Sequence, residues 1–429
     1  MNRSIMRYKK TLVLVFLFLL VVPNIFITAS THRSRGGDFR GFLIAGERLL
    51  QGTFLYEGST VATNVTWPPF FAVFIVPFTL SARVNLPLTQ VLWYILNITL
   101  FFMSIGIWCR LLYAKPCGWL DEKKEISLYT PALILPLVCV SGPLLDNAAA
   151  LQLSTFLFFL LTMGVDSLQK MRSVQAGLWF GLAAALKAFP VIIIIYLIYR
   201  KEFRATIAML ITGVVLTAIP MARYGFDGFI HQMETWISIS LSGGYPLGGL
   251  NQSVYAMVAR YVASNPFEVM FRRLPAPPVD SPEAIAATWV FRLLFAVCIG
   301  ALWWLLFRKR YRNIGLECAY FIVLMTMFSP IAWRHYYVLM MPAWMVITQW
   351  WIERRDSVLK WIVTGSGILI SGLFLVGQIG KPVRGFLLCV MSNFTLGAFV
   401  ILAGLLFCIT RNYGNENHAV QSIKSEDRS

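Results

Sequence analysis

Twelve apolar segments, at approximately residues 12–27, 88–111, 128–140, 151–165, 174–186, 189–199, 205–222, 285–307, 316–328, 337–351, 361–377 and 386–409, are separated by polar connectors, most of them short. This pattern constrains the fold more than any single motif. A chain that crosses lipid has no water to satisfy its backbone N–H and C=O groups, so each crossing segment must satisfy them internally, as a helix. The sequence therefore predicts an all-α polytopic membrane protein with about twelve transmembrane helices. Composition agrees, at 58% hydrophobic and 13% charged, where a soluble domain carries about 25% charged residues. One further apolar stretch, 69–80, is preceded by Pro68, opens on Pro69 and contains Pro77. A dozen helical residues reach only about 18 Å, well short of roughly 30 Å of hydrocarbon, so this stretch is read as an interfacial helix of the first outer loop.

Net charge is +17, which raises nucleic acid as a partner. The Lys and Arg residues argue against it. They sit in short clusters between apolar runs, such as Arg200/Lys201/Arg204 and Arg354/Arg355/Lys360, and form no basic stripe interleaved with base-stacking aromatics. Cytoplasmic loops collect such clusters, which places both termini inside and two long loops, 30–87 and 223–282, outside. Counting 69–80 as a span would invert every later loop and break this bias. Segment 12–27 follows Arg3, Arg7, Lys9 and Lys10, and Thr28-Ala29-Ser30 is a poor cleavage site, so an uncleaved anchor is expected. The chain reads as one membrane domain, 1–410, with a polar cytoplasmic tail, 411–429, expected to lack regular structure. Seven cysteines, with no CxxC, lie mostly in or beside apolar segments and read as core residues. No metal or cofactor is expected.

On this topology the polar residues within apolar surroundings converge on the outer side. Asp38 follows Arg35-Gly36-Gly37 and opens an amphipathic run, with Arg40 two residues on. It has an ordinary reading as a helix N-cap and a sharper one as a catalytic base, since a carboxylate between arginines at a bilayer surface is costly unless it is used. The other candidates are Trp67, Asp146, Lys187, Asn251, Arg260, Arg334 and His335. Each has an ordinary reading too: Lys187 can snorkel, Asp146-Asn147 can form a turn, and Arg334-His335 can anchor an interface. One carboxylate with several cations suits group transfer from a lipid phosphate, the cations holding the phosphate while the carboxylate takes a proton from the attacking hydroxyl. No HExxH, GxSxG, P-loop or GxGxxG is present, so proteolysis, ester hydrolysis and nucleotide-driven chemistry have no support.

Gly37-Asp38-Phe39, then Ala45-Gly46, Leu49 to Tyr56, Trp67-Pro68-Pro69, Ala183 to Pro190 around Lys187, Asn251-Gln252-Ser253 and Ser329-Pro330 with His335-Tyr336 resemble, in order and spacing, glycosyltransferase family 87. The resemblance implies a GT-C fold and an inverting sugar transfer from a polyprenyl-phosphate donor, mannose or another hexose or pentose, to a lipid or glycan acceptor. It implies a plasma-membrane location with the site facing outside, no nucleotide sugar and no metal. Asp38 matches the family's base and His335 a histidine expected near the donor phosphate. The chain departs from the family's usual pattern at Trp67, for tyrosine, at Ala188, for proline, and at Leu151-Gln152-Leu153, for Gly-Gln-x-Asn, so no role is assigned to Gln152. A transporter of a lipid-linked sugar is the rival, because it too needs a basic lipid-phosphate site. Such proteins carry duplicated halves with matching broken helices, whereas here the break at Lys187 has no second copy.

Overall fold

The computed structural model describes residues 37–59, 65–113, 131–241, 245–271, 277–309, 313–371 and 380–426. The expected first anchor, 12–27, lies outside them. The described chain is helical with no strand, and a lone β-bridge joins Asn251 to Trp333. In order the helices are α1 (Gly37–Gln51), α2 (Pro69–Val84), α3 (Leu86–Tyr113), α4 (Pro131–Ala149), α5 (Ser154–Gln169), α6 (Ser173–Leu186), α7 (Ile193–Tyr199), α8 (Phe203–Ala218), α9 (Met221–Leu241), α10 (Val254–Val262), α11 (Pro266–Phe271), α12 (Pro282–Lys309), α13 (Ile314–Met327), α14 (Met341–Arg354), α15 (Ser357–Ser371), α16 (Lys381–Gly385) and α17 (Asn393–Glu426). Two 3₁₀ segments, Phe189–Ile192 and Arg334–Met340, lead into α7 and α14.

Among the described residues, four helices are long and apolar enough to cross a membrane, α3, α4 and the apolar parts of α12 and α17, with a fifth if α8 and α9 count as one span. That fifth is bent by 98° around Ile219-Pro220. Helices of 14 to 16 residues, such as α5, α6, α13 and α15, reach about 21–24 Å, so the helices over the expected spans are a mixture of long and short ones. Three boundaries also move. The 128–140 segment becomes Pro131–Ala149, which puts Asp146-Asn147 in the last turn of a helix and not in a loop. The 386–409 segment is split at Ser392, whose φ of 47° ends the preceding π-helical turn before α17 begins. Helix α17 then runs on past Arg411 into the tail expected to be irregular. The stretch at 69–80 does form a short helix, extended to Val84.

Packing explains the arrangement. Phe39, Phe42, Ala45 and Leu49, at helical spacing, put one face of α1 into the core. Phe42 meets the rings of Trp67 at 4.7 Å, Phe71 at 4.9 Å and Trp93 at 5.9 Å. Every residue from Gly315 to Met327 in α13 is buried, which makes this helix the centre of the bundle. Glu317, fully buried, is held by Arg200 Nε at 2.6 Å and by the backbone N–H of Asn313 at 2.8 Å, a pairing that tolerates a charge inside only because its oxygens are satisfied.

Helices α6 and α8 form the tightest pair, and Gly177 and Gly181 allow it. A Cβ on Gly177 would lie 2.6 Å from Ala208 Cβ and 2.9 Å from Met209 N, and one on Gly181 would lie 2.7 Å from Met209 O. Small residues four apart let helix backbones meet in lipid, where dispersion and not water exclusion drives association. Gly177→Leu is expected to force the pair apart and destabilise the protein by about 1–3 kcal/mol or more, read as a lower melting temperature in detergent. Gly213→Ala, on α8 with open space around it, is expected to melt at or slightly above the wild-type temperature.

Candidate active site

The first turn of α1, the break after α6, the last turns of α9 and the Ser329–Tyr336 stretch enclose a cavity of about 830 Å³. Four residues singled out from sequence line it: Asp38, Arg40, Trp67 and Lys187. Each is placed by a local cause. Asp38 sits inside the first turn of α1, after Gly37, and its Oδ2 accepts a hydrogen bond from Gln152 Nε2 across 114 residues of chain. The carboxylate is therefore tied to a distant side chain. Trp67 is fixed by its ring contact with Phe42 and by Tyr56, whose hydroxyl donates to the Trp67 carbonyl at 2.9 Å. Burial raises the Tyr56 phenol well above its usual range, with Tyr224 adding to the shift, so Tyr56 stays a neutral donor.

Lys187 ends α6 in an extended conformation, φ −153° and ψ 126°. Pro190 follows three residues later, within the 3₁₀ turn, and lacks the N–H that a continuing α-helix would require. The ammonium leaves the helix at this break and lies 4.1 Å from the centre of the Tyr336 ring, a cation–π contact that holds a positive charge without neutralising it. Lys187 and Tyr336 line the same cavity as Asp38. One base-type group and one cation thus face a shared space.

The remaining wall is apolar and aromatic, with Phe189, Trp236, Tyr245 and Trp333 among its residues. Helix α9 brings Trp236 and Ser240 to it and is docked on the α1–α2 connection. Gln232 Oε1 accepts from Leu55 N at 3.0 Å, Trp236 Nε1 donates to Thr66 O at 3.3 Å, and Arg223 Nε donates to Leu49 O at 3.2 Å.

Five residues expected to bind the donor do not line the cavity. Arg260 is fully buried, and its guanidinium donates to Leu247 O at 2.9 Å, Asn251 O at 3.0 Å and Ser392 Oγ at 2.9 Å. It ties the 245–253 segment to the start of α17 through both terminal nitrogens, while its Nε is buried without a partner among the described residues. Asn251 Oδ1 accepts from Ser253 N and Ala332 N, and its amide donates to Pro246 O and Pro330 O. Asn251 therefore holds a wall of the cavity together without lining it. Arg334 and Asp146 pair with each other at 3.0 Å. His335 lies beside Tyr336, 8% exposed, with Nε2 buried and unpartnered among the described residues.

Sequence reasoning set Gln152 aside and passed over Tyr336, Trp236 and Ser240. Tyr336 adjoins the chosen His335. For α9 a signal was present: Phe226, Phe229, Ile230, Met233, Trp236 and Ile237 recur at helical spacing inside the second outer loop. Gln152 stands with Asp146-Asn147 among the polar residues within apolar surroundings, but its approach to Asp38 joins residues far apart in sequence. Among the described residues no group of three or more His, Cys, Asp or Glu is arranged to hold a metal ion.

The model of "Glycosyltransferase family 87" matches residues 66–330. The match takes in Trp67 and Lys187, begins after Asp38 and ends before His335. The chain is also similar to the polyprenol-phosphate-mannose-dependent alpha-(1-2)-phosphatidylinositol mannoside mannosyltransferase of Mycolicibacterium smegmatis, with 24% identity over 359 residues covering 78% of this chain and 74% of that protein. The protein of the same description from Mycobacterium tuberculosis is 25% identical over 332 residues, 75% of this chain and 72% of its own.

Proposed function

The chain belongs to glycosyltransferase family 87, and on that premise we propose that it is a GT-C-type membrane enzyme that transfers mannose from a polyprenyl-phosphate donor to a lipid or glycan acceptor at the outer face of the plasma membrane. Both relatives are described as polyprenol-phosphate-mannose-dependent, which supports the donor, and as acting on a phosphatidylinositol mannoside, which supports a lipid acceptor. The observation that carries the reading is Asp38 and Lys187 on one cavity. The acceptor O–H attacks the anomeric carbon, Asp38 takes its proton, and the bond from that carbon to the phosphate oxygen breaks, its electron pair leaving with polyprenyl phosphate. Lys187 faces the negative charge that grows on the phosphate. Asp38 is the sole carboxylate lining the cavity among the described residues. A single displacement needs one carboxylate, whereas a retaining double displacement uses a second group as nucleophile, so the transfer inverts. Arg40 offers a second cation on the side of α1. His335 stands beside Tyr336, off the cavity.

With both termini cytoplasmic, the cavity faces outside and the donor lipid enters it laterally between helices. The transporter reading loses its ground with family membership. Purified protein incubated with polyprenyl-phosphate mannose and phosphatidylinositol mannoside should yield, by mass spectrometry, an acceptor heavier by one hexose. A donor consumed with no acceptor modified, across lipid and glycan acceptors alike, would overturn the transfer.

A further inference from the structure

The turn between α4 and α5 carries a polar network. Leu151 takes a left-handed conformation, φ 50°, unusual for a side chain with a Cβ, and the turn is closed by Gln152 N donating to Asn147 O at 2.9 Å. The Asn147 side chain accepts from Ser154 N at 3.2 Å and donates to Thr155 Oγ1 at 3.3 Å. Thr155 donates to Asn97 Oδ1 at 2.6 Å, and Asn97 donates to Trp93 O at 2.9 Å. Trp93 closes the circuit by donating its indole N–H to Leu151 O at 2.8 Å. The same indole packs against Phe39 and Phe42 of α1, with ring centres at 6.1 and 5.9 Å. One fully buried tryptophan thus fixes the turn that carries Gln152 and the helix that carries Asp38.

We propose that Gln152 is the positioning residue for the Asp38 carboxylate. This rests on Asp38 being the base. Gln152 is 1% exposed, and its side chain leaves the network for Asp38 Oδ2. An amide partner orients one carboxylate oxygen without cancelling the charge, so the other stays directed at the acceptor hydroxyl. A cation in that position would weaken the base it aims. A base held in line is worth much: a displacement of about 1 Å can cost about 100-fold in rate.

The test is steady-state transfer by the full-length protein in detergent, with polyprenyl-phosphate mannose and phosphatidylinositol mannoside. Gln152→Leu should lower kcat about 10- to 100-fold with the KM for donor within about twofold of wild type. Gln152→Glu, which keeps shape and volume and so guards against a folding defect in the leucine variant, should show a loss of the same order, since it presents an acceptor where the carboxylate needs a donor. Adding Gln152→Leu to Asp38→Asn should lower the residual rate no further, because a positioning residue has nothing left to position. Wild-type kcat in both Gln152 variants, or a fully additive loss in the double variant, would overturn the role of Gln152. A wild-type rate in Asp38→Asn would instead remove the reading on which it rests.

Discussion

Asp38→Asn should reduce transfer by about 10²- to 10⁴-fold, the usual cost of losing a general base, while donor affinity and melting temperature stay near wild type. The amide has nearly the carboxylate's shape and keeps an oxygen, so the first turn of α1 and its packing through Phe39 and Phe42 are undisturbed. What it cannot do is accept the proton of the acceptor hydroxyl. Its carbonyl oxygen can still accept from Gln152 Nε2. A variant that turned over at the wild-type rate but melted several degrees lower would return Asp38 to the ordinary role of completing a helix end, worth about 1 kcal/mol. Single-turnover rates with saturating donor separate the two outcomes, because they exclude product release.

Lys187→Met should lose about 10²- to 10³-fold in transfer, the range seen when a group that meets developing transition-state charge is removed. Methionine keeps much of the aliphatic stem, so the break between α6 and the 3₁₀ turn is retained while the charge over the Tyr336 ring disappears. The loss should appear in kcat and in donor KM, with acceptor KM little changed, because the phosphate belongs to the donor. Titrating polyprenyl phosphate against the variant provides the direct check. Unchanged affinity together with unchanged turnover would assign Lys187 to structure and leave Arg40 as the cation on the cavity. Arg260→Ala is expected to behave in the opposite way, with lower thermal stability, because it strips donors from the carbonyls of Leu247 and Asn251 and from Ser392. Leaving buried acceptors unsatisfied costs about 1–3 kcal/mol each.

The class of fold was legible because lipid leaves the backbone only helices or closed barrels, and continuous apolar runs select the helix. Asp38 and Lys187 were legible for a related reason. Ionised groups among apolar residues need a cause, and their neighbours in sequence, glycines before Asp38 and a proline after Lys187, showed that the helices begin and break there. The same logic did not foresee the partners of Arg260 and Asn251. A buried cation or amide is satisfied as well by backbone carbonyls as by a substrate, and which of these it meets depends on how the 245–253 segment folds back on Ser329–Trp333 and Ser392. Asp146 and Arg334 stand 188 residues apart, so their pairing was equally invisible. Span lengths failed differently: apolar composition marks burial in protein as readily as burial in lipid, and α13, buried throughout, is apolar for the first reason.

The bend between α8 and α9 divides the walls of the cavity by origin. Asp38 and Lys187, with Gln152 behind Asp38, stand on elements wedged into the core, whereas α9 contributes Trp236, Ile237 and Ser240 from a helix in which Gln232 alone is buried. Substitutions on so exposed a helix cost little stability, usually within about 0.5 kcal/mol. Changes along α9 can therefore reshape that wall of the cavity while the elements that carry Asp38 and Lys187 stay as they are, and a laboratory library confined to the cavity-facing positions of α9 would vary the space beside them.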